Sequence, residues 1–230
     1  MRKLFRIVFE ILLVLMLLSV AVISLFRWVD PPFSAYMAQI RVQEALNGQW
    51  PSLVHRWVDY DAISPHMRLA VVAAEDQKFP LHHGFDLASI RQAIEDMLEG
   101  GRLRGASTIS QQVAKNLFLW PGRSLWRKAA EAYVTLIIEL VWPKRRILEI
   151  YLNIAETGPG LFGVAAASRH YFDTSAADLT RSEAALIAAA LPSPHRYRID
   201  APSAYLRGRQ RWVMEQMKSL GGPSYLTPIE

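Results

Sequence analysis

The sequence predicts an all-α domain behind a single N-terminal transmembrane helix. Three observations lead to this fold class. An apolar stretch near the N-terminus carries no charge from residue 11 to 26, apolar residues recur at helical spacing from residue 65 onward, and neither an alternating strand pattern nor an internal repeat is present. With 230 residues, of which 51% are hydrophobic, the chain can form one well-packed domain and an anchor but not two large domains.

Residues 7–29 are the stretch that can cross a bilayer. As a helix they would span roughly 34 Å, against a hydrocarbon core of about 30 Å. Basic residues concentrate before this stretch, so the positive-inside rule places the N-terminus in the cytoplasm and the rest of the chain outside. A signal peptide cleaved near residues 19–21 is the alternative, but the apolar run continues beyond that point, which favours a retained anchor.

The predicted organisation is a cytoplasmic N-terminus at 1–6, the anchor at 7–29, a juxtamembrane linker with one short helix at 30–61, and a helical domain at 62–230. Glycine and proline residues mark the ends of the helices in this domain. Helices are predicted over residues 67–79, 87–99, 107–118, 124–142, 144–155, 162–171, 181–190 and 204–220.

Composition excludes some chemistry and favours anionic partners. Cysteine is absent, so disulfides and thiolate metal sites are excluded. The formal charge is +5, and arginine, which binds phosphate oxygens in a bidentate way, is the dominant basic residue. This balance alone does not separate nucleic acid, a phospholipid surface and a phosphorylated substrate. Because no basic cluster is interleaved with aromatic residues, we expect no nucleic-acid partner.

The segment 75–84 holds the first cluster of reactive residues. Glu75 follows the apolar run 69–74, so its carboxyl group should be partly desolvated at a helix end. Burial raises the pKa of a carboxyl group, which suits proton transfer. The alternative is a helix-terminal acidic pair, Glu75 and Asp76, that is capped by local contacts.

The segment 105–116 is a second cluster. A glycine followed by Ser107 and Thr108 opens a helix whose first N–H groups could receive an anion, and Lys115 and Asn116 lie at its far end. An ordinary N-capped helix with a polar face is the alternative.

The third and fourth clusters are rich in basic residues. Arg127 and Glu131 are four residues apart, which fits a helical ion pair or a catalytic carboxylate beside phosphate-binding cations. The segment 144–153, with Glu156 after it, is interpreted as supporting the fold.

Together these residues closely resemble glycosyltransferase family 51, the peptidoglycan polymerases. The family's E-D-x-x-F-x-x-H-x-G pattern is met by Glu75, Asp76, Phe79, His82 and Gly84, and its G-x-S-T-I-x-Q-Q pattern by Gly105, Ser107, Thr108, Ile109, Gln111 and Gln112, with Lys115 and Asn116 following. Its R-K-x-x-E pattern is met by Arg127, Lys128 and Glu131, its I-L-E-x-Y-L-N pattern by Ile147, Leu148, Glu149, Tyr151, Leu152 and Asn153, and its last block by Leu179, Glu183, Ala184, Leu186, Pro192 and Pro194. The motifs occur in the family's order over residues 67–194.

The resemblance implies a lysozyme-like, two-lobed helical domain that polymerises lipid II into β-1,4 glycan strands, with inversion and release of undecaprenyl pyrophosphate. It implies Glu75 as the base that activates the acceptor hydroxyl and Glu131 as the second essential carboxylate. The expected substrate-binding residues are Asp76, Phe79, His82, Ser107, Thr108, Gln111, Gln112, Lys115, Asn116, Arg123, Arg127 and Lys128.

The resemblance also implies partners and a location. The expected partners are lipid II, the growing glycan strand, the membrane, and proteins of cell-wall synthesis or division. No cofactor and no metal ligands are assigned, although Mg²⁺ or Mn²⁺ could bridge the two phosphates. The expected location is the bacterial inner membrane, with a single span and a periplasmic catalytic domain. The apolar residues at 117–120 and 125–126 are expected either to enter the membrane surface or to pack in the core.

Two other functions remain open at this point. A lysozyme-like lytic enzyme would share a helical cleft and an acidic glutamate, so the fold alone does not decide. Such an enzyme needs no pyrophosphate site, whereas the cations between residues 115 and 128 indicate one and therefore favour synthesis. A membrane-tethered scaffold without activity is disfavoured because the motif residues are intact. A transpeptidase activity is excluded for this sequence, since it contains neither S-x-x-K nor K-T-G.

Overall fold

The computed structural model describes residues 1–48, 50, 52–98, 107–122 and 124–230. Within these residues the chain is mostly helical behind an N-terminal apolar helix, as the sequence predicts. The helices are α1 (Arg2–Leu25), α2 (Ala35–Leu46), α3 (Pro65–Glu75), α4 (Leu87–Leu98), α5 (Ile109–Phe118), α6 (Leu125–Val141), α7 (Lys144–Ile154), α8 (Val164–Phe172), α9 (Arg181–Ala190) and α10 (Ala204–Ser219). The strands are β1 (Val54–His55), β2 (Glu156–Gly158) and β3 (Leu161–Phe162), and two 3-10 helices span Tyr60–Ala62 and Pro223–Ile229.

A small sheet in the order β1-β3-β2 was not expected from the sequence. β1 runs parallel to β3, and β2 and β3 form an antiparallel hairpin. These strands have two or three residues each, too few for an alternating pattern to become visible. Gly163 follows the hairpin at φ +80°, and a Cβ atom there would lie 2.6 Å from the Asn153 carbonyl oxygen, so glycine is required where the sheet meets α8.

Helix α1 has the length and composition of a membrane span, with a mean hydropathy of 2.8 in its most apolar window. It ends at Leu25, four residues before the predicted boundary. Its C-terminal part packs against α6: the Ser19 and Tyr133 hydroxyl groups lie 2.9 Å apart, and the Trp142 indole N–H donates to the Ile23 carbonyl at 2.8 Å. Helix α1 is therefore joined to the domain by side-chain contacts as well as by the chain.

Arg146 holds the segment that follows α1. Its buried guanidinium donates to the carbonyl groups of Phe26 and Val29, each at 2.9 Å, and forms ion pairs with Asp30 and Glu149. This explains in physical terms why the basic start of α7 supports the fold.

The segment 30–61 differs from the expectation of a linker, because it contributes α2, β1 and a 3-10 helix to the packed domain. Ser34 caps α2 by accepting from the Met37 N–H, and the Met37 side chain is buried against the core. The Asn153 side-chain amide accepts from the Val58 N–H at 2.8 Å and donates to the Val58 carbonyl at 2.9 Å. The Met37 and Val58 contacts therefore fix this segment to the domain at two places.

The remaining helices form two groups around one continuous core. Helices α3, α9 and α10 pack against one another, with the C-terminal 3-10 helix on α3. Helix α5 packs against α6, α7 and α2 in the other group. The C-terminal end of α3 meets α5 between the groups, and this junction positions the site.

Candidate active site

Glu75 is the last residue of α3, at the junction between the two helical groups. The helix ends there because Asp76 leaves the helical conformation, at φ −160° and ψ 76°, and its carboxylate accepts a hydrogen bond from the Ile109 N–H at the start of α5 at 3.0 Å. The Glu75 Oε2 atom accepts from the Gln112 side-chain amide at 2.9 Å. One hydrogen bond to each of two consecutive carboxylates thus ties α3 to α5.

Burial raises the pKa of the Glu75 carboxyl group above its ordinary value. The hydrogen bond from Gln112 and the charges of Arg209 and Lys115 lower this pKa, while the neighbouring charge of Asp76 raises it. Burial is the largest of these effects, so the direction is upward. A carboxylate with a raised pKa is a stronger base than an exposed glutamate.

Glu131, the second carboxylate, lies on α6 with only 3% of its surface exposed. Its Oε2 atom accepts from Arg127 at 2.8 Å, and its Oε1 atom pairs with the Lys128 ammonium group. The Arg127 side chain is itself 12% exposed. Each carboxylate oxygen of Glu131 is therefore occupied by a cation.

A cavity of about 570 Å³ lies beside these two carboxylates. Four polar residues of the predicted site line it, namely Gln112, Lys115, Asn116 and Arg127. The other lining residues are Tyr36, Gln39, Leu119, Trp120, Pro121, Gly122, Tyr151, Ala155, Glu156, Leu191, Pro192 and Pro194. Neither of the two predicted catalytic carboxylates belongs to this lining: Glu75 lies behind Gln112, and Glu131 lies behind Arg127.

Lys115 links the two carboxylates electrostatically. Desolvation in the cleft lowers the pKa of its ammonium group, the charge of Glu131 raises it, Arg127 and Lys128 lower it, and Glu75 raises it. Both glutamates therefore act on one cation at the cavity wall. Cations in the cavity wall can bind a phosphorylated substrate, and a carboxylate of raised pKa directly behind Gln112 can act as a base.

A protein-family model described as Transglycosylase matches residues 43–218. The chain belongs to the transglycosylase family. Three relatives named biosynthetic peptidoglycan transglycosylase are similar to it over most of their length. The relative from Xylella fastidiosa is 54% identical over 217 residues, which cover 94% of this chain and 89% of the relative. The relative from Escherichia coli is 58% identical over 206 residues, 89% and 85% of the two chains, and that from Salmonella arizonae is 52% identical over 224 residues, 96% and 93%.

Several predicted substrate-binding residues of this transglycosylase lie behind the cavity wall. The Asp76 carboxylate binds the His82 Nε2 atom at 2.9 and 3.0 Å, and the buried Phe79 ring packs edge-on against the His82 ring. The Lys144 ammonium group lies 4.4 Å from the centre of the Phe79 ring. These contacts make Asp76, Phe79 and His82 supports for the Glu75 turn, rather than groups that face the cavity.

Thr108 and Gln111 form a capping box at the start of α5 and are likewise buried. The Thr108 hydroxyl also donates to the Gly84 carbonyl at 2.6 Å, which joins this helix to the turn after α3. This geometry corresponds to the N-capped helix that the sequence left open as an alternative. Ser107 is exposed, Lys128 is half-exposed outside the cavity lining, and Arg123 lies outside the described residues.

Several residues that line the transglycosylase cavity were not among the predicted site residues. Tyr36 and Gln39 lie on α2, in the segment interpreted as a linker, and no motif marked them. Glu156 was assigned to the fold, yet its Oε2 atom accepts from the Tyr36 hydroxyl at 3.1 Å at the cavity wall. Burial and the charge of Glu156 raise the pKa of Tyr36 to about 12. Tyr151 was part of a motif, and only its position after folding shows that its hydroxyl donates to Gln112.

Proposed function

We propose that this chain is a peptidoglycan glycosyltransferase that polymerises lipid II into β-1,4 glycan strands, with inversion and release of undecaprenyl pyrophosphate. One observation carries the proposal: Gln112, which holds the desolvated carboxyl group of Glu75, lines one cavity together with Lys115 and Arg127. The names of the relatives support the same substrate class.

In the proposed reaction, Glu75 removes the proton from the 4-hydroxyl group of the acceptor sugar. The hydroxyl oxygen attacks the anomeric carbon of the donor sugar from the face opposite the pyrophosphate, which inverts the configuration. The bond between that carbon and the pyrophosphate oxygen breaks, and the pyrophosphate leaves with the electron pair. Lys115 and Arg127 stabilise the charge that develops on it, and Gln112 orients the base.

Glu131 supports the cations in this proposal. Both oxygens of this buried carboxylate are paired with cations, one with Arg127 and the other with Lys128, an arrangement that positions those two side chains. The pairing keeps the guanidinium of Arg127 at the cavity wall. This favours the supporting role over the proton-donor role that the sequence left open.

No resident metal enters the proposal. In the described part of the chain, no three His, Asp or Glu side chains come together in an arrangement that could hold a metal ion. A Mg²⁺ or Mn²⁺ ion that bridges the two phosphates of the substrate needs only one or two protein ligands, so it stays a prediction and no step is assigned to it.

Product analysis tests the proposed function and separates it from a lytic one. The full chain, reconstituted in vesicles with lipid II, is expected to produce long glycan strands and to release undecaprenyl pyrophosphate. Gel separation of the strands and chromatography of the lipid measure the two products. Shortening of added glycan strands, without polymer from lipid II, would support the lytic alternative instead.

The same proposal includes a location. α1 would span the inner membrane once, with the N-terminus in the cytoplasm and the catalytic domain in the periplasm, as the charge asymmetry around the apolar stretch favours. A substrate that carries a polyprenyl chain stays in the bilayer, so the anchor keeps the enzyme close to it. Proteins of cell-wall synthesis or division are proposed partners that come from the family resemblance.

We expect one face of α6 to enter the membrane surface beside the anchor. Of the apolar residues considered in the sequence, Leu117 is buried in the core and Leu119 is buried at the cavity wall, whereas Trp120, Leu125 and Trp126 are exposed. Exposed apolar side chains continue along α6 to Leu140. This extended apolar surface lies next to α1, where lipid would cover it.

Quenching of tryptophan fluorescence by brominated lipids measures this insertion. In the full chain in vesicles, Trp126→Phe is expected to reduce the quenched fraction, because the Trp126 ring would lie within reach of the lipid chains. Trp212→Phe, which removes a part-exposed ring on α10, is the matched control and is expected to leave the quenched signal in place. Equal changes in the two variants would contradict the membrane contact.

A further inference from the structure

A second cavity, of about 400 Å³, adjoins the catalytic cavity and shares Tyr36, Gln39, Pro121 and Glu156 with it. We call it the Glu156 cavity. Its remaining wall comes from α2, from the β2–β3 turn and from the segment that contains His195. The two cavities thus form one groove, and the proposed reaction uses only the cationic half.

Two residues that line the Glu156 cavity, Gln39 and Glu44, each carry a hydrogen-bond acceptor that lacks a donor in the described part of the chain. The Gln39 amide nitrogen donates to the Leu119 carbonyl at 3.0 Å, which fixes the orientation of the amide and makes its oxygen an acceptor. This Gln39 Oε1 atom and the Glu44 Oε2 atom are buried, and neither has a partner among the residues that the structure describes. A buried acceptor without a donor is unfavourable, which favours a ligand that donates hydrogen bonds at this place.

Glu156 supplies a fixed carboxylate between the two cavities. Its side chain is 7% exposed and accepts from the Tyr36 hydroxyl, from the Gly160 N–H at 3.3 Å and from the His195 ring at 2.9 Å. With Glu44, it gives this half of the groove two carboxylates, and no lysine or arginine occurs among its described lining residues. The catalytic half, by contrast, is lined by Lys115 and Arg127.

This division of charge indicates the chemistry of the ligand. A group that donates several hydrogen bonds and carries a positive charge would satisfy the free acceptors and the carboxylates together, and a primary ammonium group does both. A divalent cation fits less well, because the carboxylates and His195 do not form a three-ligand cluster in the described ranges.

We propose that the Glu156 cavity binds a free amino group on the stem peptide of the lipid-linked substrate. The inference rests on the proposed function, in which the pyrophosphate occupies the cationic half of the groove. The sugar bonded to that pyrophosphate carries the peptide, so an amine on the peptide can reach the adjoining acidic half while the phosphates remain between the cations.

The test compares two lipid-linked disaccharides that differ only in the stem-peptide amine, which is free in one and N-acetylated in the other. The full chain in vesicles is expected to show a KM about tenfold lower for the free amine, the effect of one charge-assisted hydrogen bond. Glu44→Gln keeps the shape of the side chain but removes its charge. It is expected to raise the KM for the free-amine substrate to the value for the acetylated one.

Glu215→Gln is the matched control, since it removes an exposed carboxylate on α10, and it is expected to retain the preference for the free amine. The KM values of the unaltered chain for the two substrates test the inference even where a variant fails to fold. Equal KM values for both substrates, or a preference that survives in Glu44→Gln, would overturn the inference. If the chain polymerises both substrates equally well, the amine site fails while the proposed function stands.

Discussion

Replacing Glu75 with glutamine is expected to lower polymerisation of lipid II by about 10²–10⁴-fold, the contribution typical of a positioned general base. Glutamine has nearly the same shape and can still accept the hydrogen bond from Gln112, but it cannot take the proton from the acceptor hydroxyl. Initial rates of strand synthesis by the purified full chain measure the effect. Glu215→Gln, the exposed control on α10, is expected to retain full activity.

The stability of the same variant gives an independent readout. Burial raises the folded-state pKa of Glu75, so the unfolded chain releases this proton more readily, and the ionised group destabilises the fold once the pH exceeds the unfolded pKa. Glu75→Gln should therefore unfold at the same or a higher temperature at neutral pH. The activity of the unaltered chain should fall as the pH decreases through the raised pKa. Turnover retained in a folded Glu75→Gln variant would remove Glu75 from its proposed role.

Replacing Glu131 with glutamine is expected to reduce both stability and activity. The substitution leaves the Arg127 guanidinium, whose side chain is only 12% exposed, without its carboxylate, which costs up to about 3–5 kcal/mol of unfolding free energy. A misplaced guanidinium no longer stabilises the leaving pyrophosphate, and we expect kcat/KM to fall by about 10²–10³-fold. Chemical denaturation and steady-state kinetics measure the two effects.

A double variant separates support of the fold from support of the reaction. Arg127→Met with Glu131→Met removes both buried charges, so stability should recover towards that of the unaltered chain while activity stays low. Asp173→Asn, which breaks an exposed pair with Arg169, is the matched control and should change stability by less than about 0.5 kcal/mol. If the activity of the unaltered chain falls at high pH, and this fall is absent only in Glu131→Gln, then Glu131 acts as a proton donor and the supporting role is contradicted.

The sequence predicted most helices because their signals are local. The apolar spacing and the capping residues of α5 and α9 lie within each segment, and both helices begin within two residues of the predicted positions. The sheet could not be predicted in the same way, because β1 and β3 are more than a hundred residues apart in sequence and pair through only two residues each. The integration of α2 also depends on distant groups, such as the carbonyl of Leu119 to which Gln39 donates.

The residue types of the site could be predicted from the sequence, but which of them line the cavity and which are buried behind it could not. Phe79 and Gln112 both belong to motifs, and nothing in the sequence assigned them different roles. In the folded chain Phe79 is buried, whereas Gln112 lines the cavity. Pattern alone does not show which face of a helix meets a neighbour. Tertiary packing determines which face this is, because the contacts that bury it join segments far apart in the chain.

By itself, the sequence determined an apolar span, a helical domain and a set of carboxylates and cations suited to a phosphorylated substrate, because each of these depends on the residue types within a short segment. The tertiary structure decided that Glu131 is neutralised by two cations, that Glu75 is desolvated beside Gln112, and that a second, acidic cavity continues the groove. Those properties arise from burial and from distances between groups on different helices. Such distances exist only once the helices have packed.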